Sequence, residues 1–229
     1  ELGGKNIHHF GNIKFSNKIN FTDIKSKNEK ILDSKNVWCA VSTHKNEEQF
    51  CIKTHIQLNK KISNVLTVII PRHIERSEQI EKICLSNKLN TQVISKGEII
   101  FNDTEIAIIN SFGVLSEYLK YARSALIGKS LLKKLKNDGG QNPLLAAQMG
   151  CKIYHGQYVS NFSDIYKFLM DKNLSEEIIT VNDLSNNIIN DFKRKKDLNK
   201  SKELFDKIGE AIFEKTFEKI ENFLHYENL

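Results

Sequence analysis

The sequence is poor in the residues that break regular structure: it has two prolines and eleven glycines among 229 residues. Collagen-like, proline-rich and Gly/Ser-linker compositions are therefore excluded. Its four cysteines, Cys39, Cys51, Cys84 and Cys151, form no CxxC pair and fall in no metal-type Cys/His spacing. That excludes a zinc ribbon or a disulfide-framework domain and leaves reduced thiols, as a reducing cytoplasm would keep them. The seven histidines are scattered and include no HExxH, so a zincin-type centre is absent and no metal site is expected. These residues read as containing no signal peptide, and no apolar run approaches the roughly 18 residues a membrane-spanning helix needs. The net charge of +6 is not concentrated: its densest run, Lys193 to Lys196, lies beside Asp191 and Asp197. Basic residues are not interleaved with aromatics, so no nucleic-acid partner is expected.

What is there is a core. Forty per cent of residues are hydrophobic, and from residue 37 apolar runs alternate with amphipathic ones. Strands are predicted at Val37–Val41, Val65–Ile70, Thr91–Ser95, Glu105–Ile109, Ser124–Gly128, Lys152–His155 and Glu177–Val181. Helices are predicted at Glu47–Leu58, Glu75–Asn87, Val114–Tyr121, Asn142–Met149 and Phe162–Asp171. Strands alternating with helices of about 10–15 residues indicate an α/β fold, a Rossmann-like, mainly parallel sheet flanked by helices. Residues 1–36 are polar and read as a linker entering that domain. Residues 37–182 form the domain. Residues 183–229 form a helical tail with Leu204, Ile208 and Ile212 at four-residue spacing, continued by Phe213, Phe217, Ile220 and Leu224. This tail packs on the sheet or crosses to another domain. The start Glu1-Leu2-Gly3-Gly4 reads as the middle of a longer polypeptide.

In a parallel sheet, ligands bind at the carboxyl ends of the strands, so the post-strand loops carry the chemistry. Ser42, Thr43 and His44 follow the first strand. Their hydroxyls suit an anionic group or a helix start, with Thr43 or Asn46 as cap and Glu47 and Glu48 complementing the helix dipole. Arg72 follows Pro71 at the end of the second strand, with His73 and Arg76 beyond it, and a guanidinium there suits phosphate or carboxylate. Phe112, Gly113 and Val114 form a third loop, whose glycine permits a close approach to a flat base. The fullest signal is Asp138-Gly139-Gly140-Gln141-Asn142-Pro143-Leu144-Leu145. It combines paired glycines, a capping asparagine and a proline at the first helical position, which together suggest a phosphate cradle. Gly128-Lys129-Ser130 is not the end of a triphosphate-binding loop, because Arg123 stands where that motif needs its first glycine. No GxGxxG follows the first strand.

These loops, in this order, resemble the C-terminal domain of 3-deoxy-D-manno-octulosonic acid (Kdo) transferases. The resemblance rests on Gly11-Asn12-Ile13-Lys14-Phe15, Ser42-Thr43-His44-Lys45-Asn46-Glu47-Glu48, Ile70-Pro71-Arg72-His73 with Arg76, Gly128-Lys129-Ser130, Gly139-Gly140-Gln141-Asn142-Pro143-Leu144 and Asn161-Phe162. It implies one half of a GT-B glycosyltransferase, two Rossmann-like domains facing across a cleft. Such an enzyme transfers Kdo from CMP-Kdo to lipid A precursor with inversion, in lipopolysaccharide biosynthesis, at the cytoplasmic face of the inner membrane of Gram-negative bacteria. It needs no metal or other cofactor. The chain by itself is expected to be soluble and cytoplasmic. Residue by residue, the resemblance implies that Pro71 and Arg72 hold the CMP moiety, that Phe112, Gly113 and Val114 touch the nucleotide, and that Asn142, Pro143, Leu144 and Leu145 form the matching helix start. Lys14, Ser42, Thr43, His44, Gly139 and Gly140 lie at the cleft.

Two positions depart from the family pattern. Leu145 and Val114 stand where it has glutamates, so contacts from those two side chains are lost. The missing N-terminal half would hold the acceptor site, the membrane-facing surface and the general base, and these residues alone are expected to be inactive. Two other functions fit the loops: a non-catalytic nucleotide-sugar-binding module, and a GT-B transferase that uses a UDP-sugar.

Overall fold

The computed structural model describes residues 7–226, with side chains as far as residue 224. The Glu1-Leu2-Gly3-Gly4 start lies outside the described residues. Seven strands form one sheet: β1 Asn36–Thr43, β2 Val65–Pro71, β3 Thr91–Ile94, β4 Ile106–Ile109, β5 Ser124–Ile127, β6 Lys152–His155 and β7 Ser175–Glu177. The order is β3-β4-β2-β1-β5-β6-β7 and every pairing is parallel. On one side of β1 the chain adds β2, then the edge strand β3, then β4 between them; it returns to β5 beside β1 and builds outward on the other side. The strand order therefore reverses between β1 and β5, where a crevice opens at the carboxyl ends.

Alternation along β1 shows how the sequence makes two layers. Val37, Cys39 and Val41 join one apolar cluster, and Trp38 and Ala40 join the other, as side chains on successive strand residues must. The first layer contains α1 Glu29–Ser34, α4 Leu115–Leu119, α5 Leu144–Gln148, α6 Ser163–Asp171 and α8 Leu198–Tyr226, which contribute Leu32, Leu119, Leu144, Tyr166 and Phe205. The second contains α2 Glu47–Asn59, α3 Ser77–Ser86 and α7 Val181–Phe192, which contribute Ile52, Ile80 and Leu184. The α/β class and the parallel sheet are as the sequence indicates.

Three segments differ from expectation. The last strand is Ser175–Glu177, not Glu177–Val181. Thr180 and Asp183 form a reciprocal capping box that starts α7 at Val181 and takes the β-branched run out of the sheet. Within residues 1–36, α1 and a 3-10 turn at Ile13–Ser16 pack onto the domain. Phe15 is buried, edge-to-face on Phe168 at 5.2 Å and stacked on Phe205 at 6.1 Å. In the tail, Phe205 and Ile212 are buried, whereas Phe213, Phe217, Ile220 and Leu224 are exposed. The apolar stripe thus runs past the body that its first half covers.

Candidate functional site

The crevice between β1 and β5 is built by an unusually close approach. A side chain at Gly128 would place its Cβ 2.7 Å from Thr43 Cα and within contact of the Ser42 carbonyl, so only glycine fits there. On the β1 side, Ser42 takes a left-handed φ of +54°, and β1 bulges between Val41 and Thr43. Thr43 is buried and its carbonyl accepts the Arg72 N–H at 3.0 Å. His44 is half-buried. Its Nδ1 lies 3.1 Å from the Ser42 carbonyl and its ring meets His73 edge-on at 5.8 Å. Burial pulls its pKa down, against the opposing hydrogen bond to Ser42.

Neither Thr43 nor Asn46 caps α2 with its side chain; Asn46 instead adopts φ +82°. The two carboxylates of the first turn have specific partners beyond the helix dipole. Glu48, 1% exposed, takes a two-pronged hydrogen bond from Arg76 at 2.6 and 3.1 Å, which fixes the loop after β2. Arg76 is thereby occupied. Arg72 is exposed and makes no ion pair among the described residues. Glu47 is fully buried and accepts backbone N–H groups from His44, Lys129, Ser130 and Leu131. Nothing in the local sequence announced that role, because three of its four partners lie more than eighty residues away.

On the β5 side, Lys129 has φ +60°, its Nζ binds Asp138 at 2.7 Å and its carbonyl accepts the Gly140 N–H at 2.6 Å. That hydrogen bond from Lys129 lowers the Asp138 pKa. Gly139 and Gly140 are buried, and a Cβ at either would strike the backbone of Tyr158 or Val159. Their smallness serves loop-on-loop packing rather than an open cradle. The Gly140 amide is spent on Lys129, and the Leu144 amide is not free to donate to a ligand because it donates to Asn142 Oδ1 at 3.0 Å. The helix starts one residue later than expected: Pro143 is its N-cap rather than its first residue, and Asn142, one position before the cap, takes the Leu144 N–H on its side chain. Asn161 fastens the same loop by donating to the carbonyls of Asp138 and Gly139.

The remaining candidates divide by exposure. Pro71, Pro143 and Leu144 are buried, and Leu145 is half-buried against the core. Val114 is 4% exposed and packs in the same layer, while Phe112 is 69% exposed and Gly113 has φ +78°. The Phe112–Val114 loop stands at the end of β4, one strand beyond β2, so it flanks the crevice rather than lining it. Lys14 is exposed, with its Nζ 5.0 Å from the Phe162 ring, which brings the first segment to the loop after β6. The structure thus gathers the β1, β2 and β5 loops at the switch point, with Lys14 at one margin and Phe112 at the other. Among the described residues no three His, Cys, Asp or Glu side chains are placed to hold a metal ion, and no helix is long and apolar enough to cross a membrane.

Comparison with known proteins agrees with the resemblance read from the loops. No family model matches the chain. Curated 3-deoxy-D-manno-octulosonic acid transferases match most of it: that of Rickettsia bellii is 28% identical over 189 residues, 81% of this chain and 44% of the relative. That of Aquifex aeolicus is 25% identical over 177 residues, 77% of this chain and 45% of the relative. That of Haemophilus influenzae is 29% identical over 135 residues, 59% of this chain and 31% of the relative. The chain therefore spans less than half the length of these relatives. Among solved structures, the C-terminal CMP-Kdo binding domain of WaaA from Acinetobacter baumannii superposes with a TM-score of 0.64 at 22% identity, covering 80% of this chain and 91% of that one. The fold is that of this domain.

Proposed function

We propose that the chain is the donor-binding half of a Kdo transferase: it holds CMP-Kdo while the acceptor, a lipid A precursor, is presented by a second half at the inner-membrane surface. The observation that carries this reading is Arg72. It is exposed, free of any ion pair among the described residues, and set by the Thr43 carbonyl at the rim of the β1/β5 crevice. In an inverting transfer, the acceptor hydroxyl attacks the anomeric carbon, the bond from that carbon to the CMP phosphate oxygen breaks, and CMP departs with added negative charge. A fixed guanidinium at the phosphate stabilises charge that develops in that step. On this reading the general base that takes the hydroxyl proton belongs to the other half, as the resemblance implies.

The test is calorimetric titration of CMP, with UMP and AMP as competitors and Arg72→Ala as control. Selective CMP binding that weakens by about tenfold or more in Arg72→Ala, the range for losing a charge-assisted hydrogen bond, supports the reading. Preference for UMP points to a UDP-sugar instead. A second reading, a nucleotide-sugar-binding module without catalysis, is favoured by Val114 and Leu145: both pack against the core where the family pattern has glutamates, so only backbone contacts remain there. Absence of any nucleotide binding to folded protein would overturn the donor reading.

A further inference from the structure

The loop after β5 contains three consecutive amides, those of Lys129, Ser130 and Leu131, that converge on one point. Convergent successive N–H groups make a nest, a concavity suited to an anion. Here the anion is the chain's own. Glu47 Oε2 accepts from Lys129 at 2.7 Å and from His44 at 2.9 Å, and Oε1 accepts from Ser130 at 2.9 Å and Leu131 at 3.0 Å. The carboxylate is fully buried, and no lysine or arginine pairs with it among the described residues. Its charge is held by four backbone dipoles at the point where the strand order reverses.

We infer that Glu47 is a positioning residue of the donor site: its carboxylate occupies the anion nest of the Gly128-Lys129-Ser130 loop and locks both rims of the crevice in register. The inference rests on the donor-site reading. On one rim, Glu47 holds the His44 amide, and the preceding Thr43 carbonyl holds the Arg72 N–H. On the other, it holds the Lys129 amide, whose residue accepts Gly140 N–H and binds Asp138, and that loop runs directly into Asn142. One side chain therefore fixes where Arg72 stands relative to Asn142. The same occupancy directs a ligand's phosphate outward: the nest is filled, so the phosphate meets Arg72 and not the Lys129 and Ser130 amides.

The experiment compares the native chain with Glu47→Gln, Glu47→Asp and Glu47→Gly. Glutamine presents an NH2 group to converging donors, aspartate reaches less far, and glycine vacates the nest. Three quantities are read: CMP affinity, thermal midpoint, and amide exchange resolved by segment. In Glu47→Gln and Glu47→Gly, exchange is expected to quicken over residues 43–46 and 128–140 while the central strands keep their protection, and CMP affinity falls about tenfold or more. Added formate should restore both loop protection and CMP affinity to Glu47→Gly, because it returns a carboxylate to the vacated nest, and should leave Glu47→Gln unchanged. If Glu47→Gly does not fold, Glu47→Asp carries the test, with an intermediate loss of affinity and loop protection. Unchanged loop exchange and CMP affinity in the variants would overturn the inference. So would a loss of CMP binding that tracks the thermal midpoint alone and is not rescued by formate. If the native chain binds no CMP, the donor reading falls, and segment exchange with formate rescue still decides whether Glu47 sets the loop.

Discussion

The buried His55 is held by specific partners, and it shows what that implies for pH. It sits on α2, 0% exposed, with Nδ1 2.8 Å from Thr67 Oγ1 and Nε2 2.9 Å from the Asn59 amide nitrogen. Asn59 donates to Nε2, so the proton is on Nδ1 and the ring is neutral. Burial pulls its pKa from 6.5 down to about 4, against the opposing pull of Glu105. A histidine whose folded pKa lies below its unfolded value stabilises the fold fully above the unfolded value. That stability is lost as pH falls from 6.5 toward 4, where the unfolded chain binds a proton that the native one refuses. The gap corresponds to about 3 kcal/mol. His44 and His155 are shifted in the same direction by burial, so a variant is needed to isolate this share. Urea unfolding of the native chain and of His55→Gln should show a markedly smaller acid loss in the variant between about pH 7 and about pH 4. Equal losses would remove His55 from the account.

At the scale of elements, legibility followed locality. β1 and β2 are readable because their apolar runs are buried on both faces, and α2 and α6 because their boundaries follow turn residues. The run at Glu177–Val181 has strand-like residues but starts a helix at Val181, because the Thr180/Asp183 capping box satisfies donors at both ends of the box. α1 is six residues long with one fully buried side chain, Leu32, too little to make a pattern. The Arg72 rim was visible from strand-end placement. The Glu47 clamp was not, because the sequence shows where a carboxylate starts but not the distant amides it meets. α8 supplies a test of how firmly an element is seated. Gly209 lies against the 3-10 turn at Ile13–Ser16: a Cβ there would be 2.5 Å from the Phe15 carbonyl oxygen and 2.8 Å from Ser16 Cα, and Ser16 Oγ donates to the Gly209 carbonyl at 2.9 Å. Alanine in a helix interior gains about 1 kcal/mol over glycine. Overpacking against backbone that cannot rotate away costs about 1–3 kcal/mol, so the clash should win. Gly209→Ala is expected to lower the thermal midpoint; a rise would mean that α8 does not rest on that turn.

At the scale of the whole molecule, the question is whether the two layers on the sheet unfold together. They share every central strand: β1 alone gives Cys39 to one cluster and Trp38 to the other, so neither layer can be exposed without stripping a face of the same sheet. The four free cysteines report on this without added probes. Cys39 and Cys151 lie in the layer of α8, Cys51 and Cys84 in the layer of α2 and α3, and all four are buried. Burial raises each of their pKa values, to about 11 for Cys84. Their native thiolate population is therefore small, and access is closed as well. Iodoacetamide should accordingly modify none of them at the rate of a free thiol. When opening is made rate-governing with excess reagent, all four should react at one common rate set by global unfolding. Mass spectrometry of peptides at timed quenches reads the four sites separately. Early labelling of Cys51 and Cys84 with Cys39 and Cys151 still protected would show instead that the α2–α3 layer lifts as its own unit. The Glu48–Arg76 and Glu47 contacts at the top of α2 would then open before the sheet does, which would make the β1/β5 crevice the least stable part of the domain.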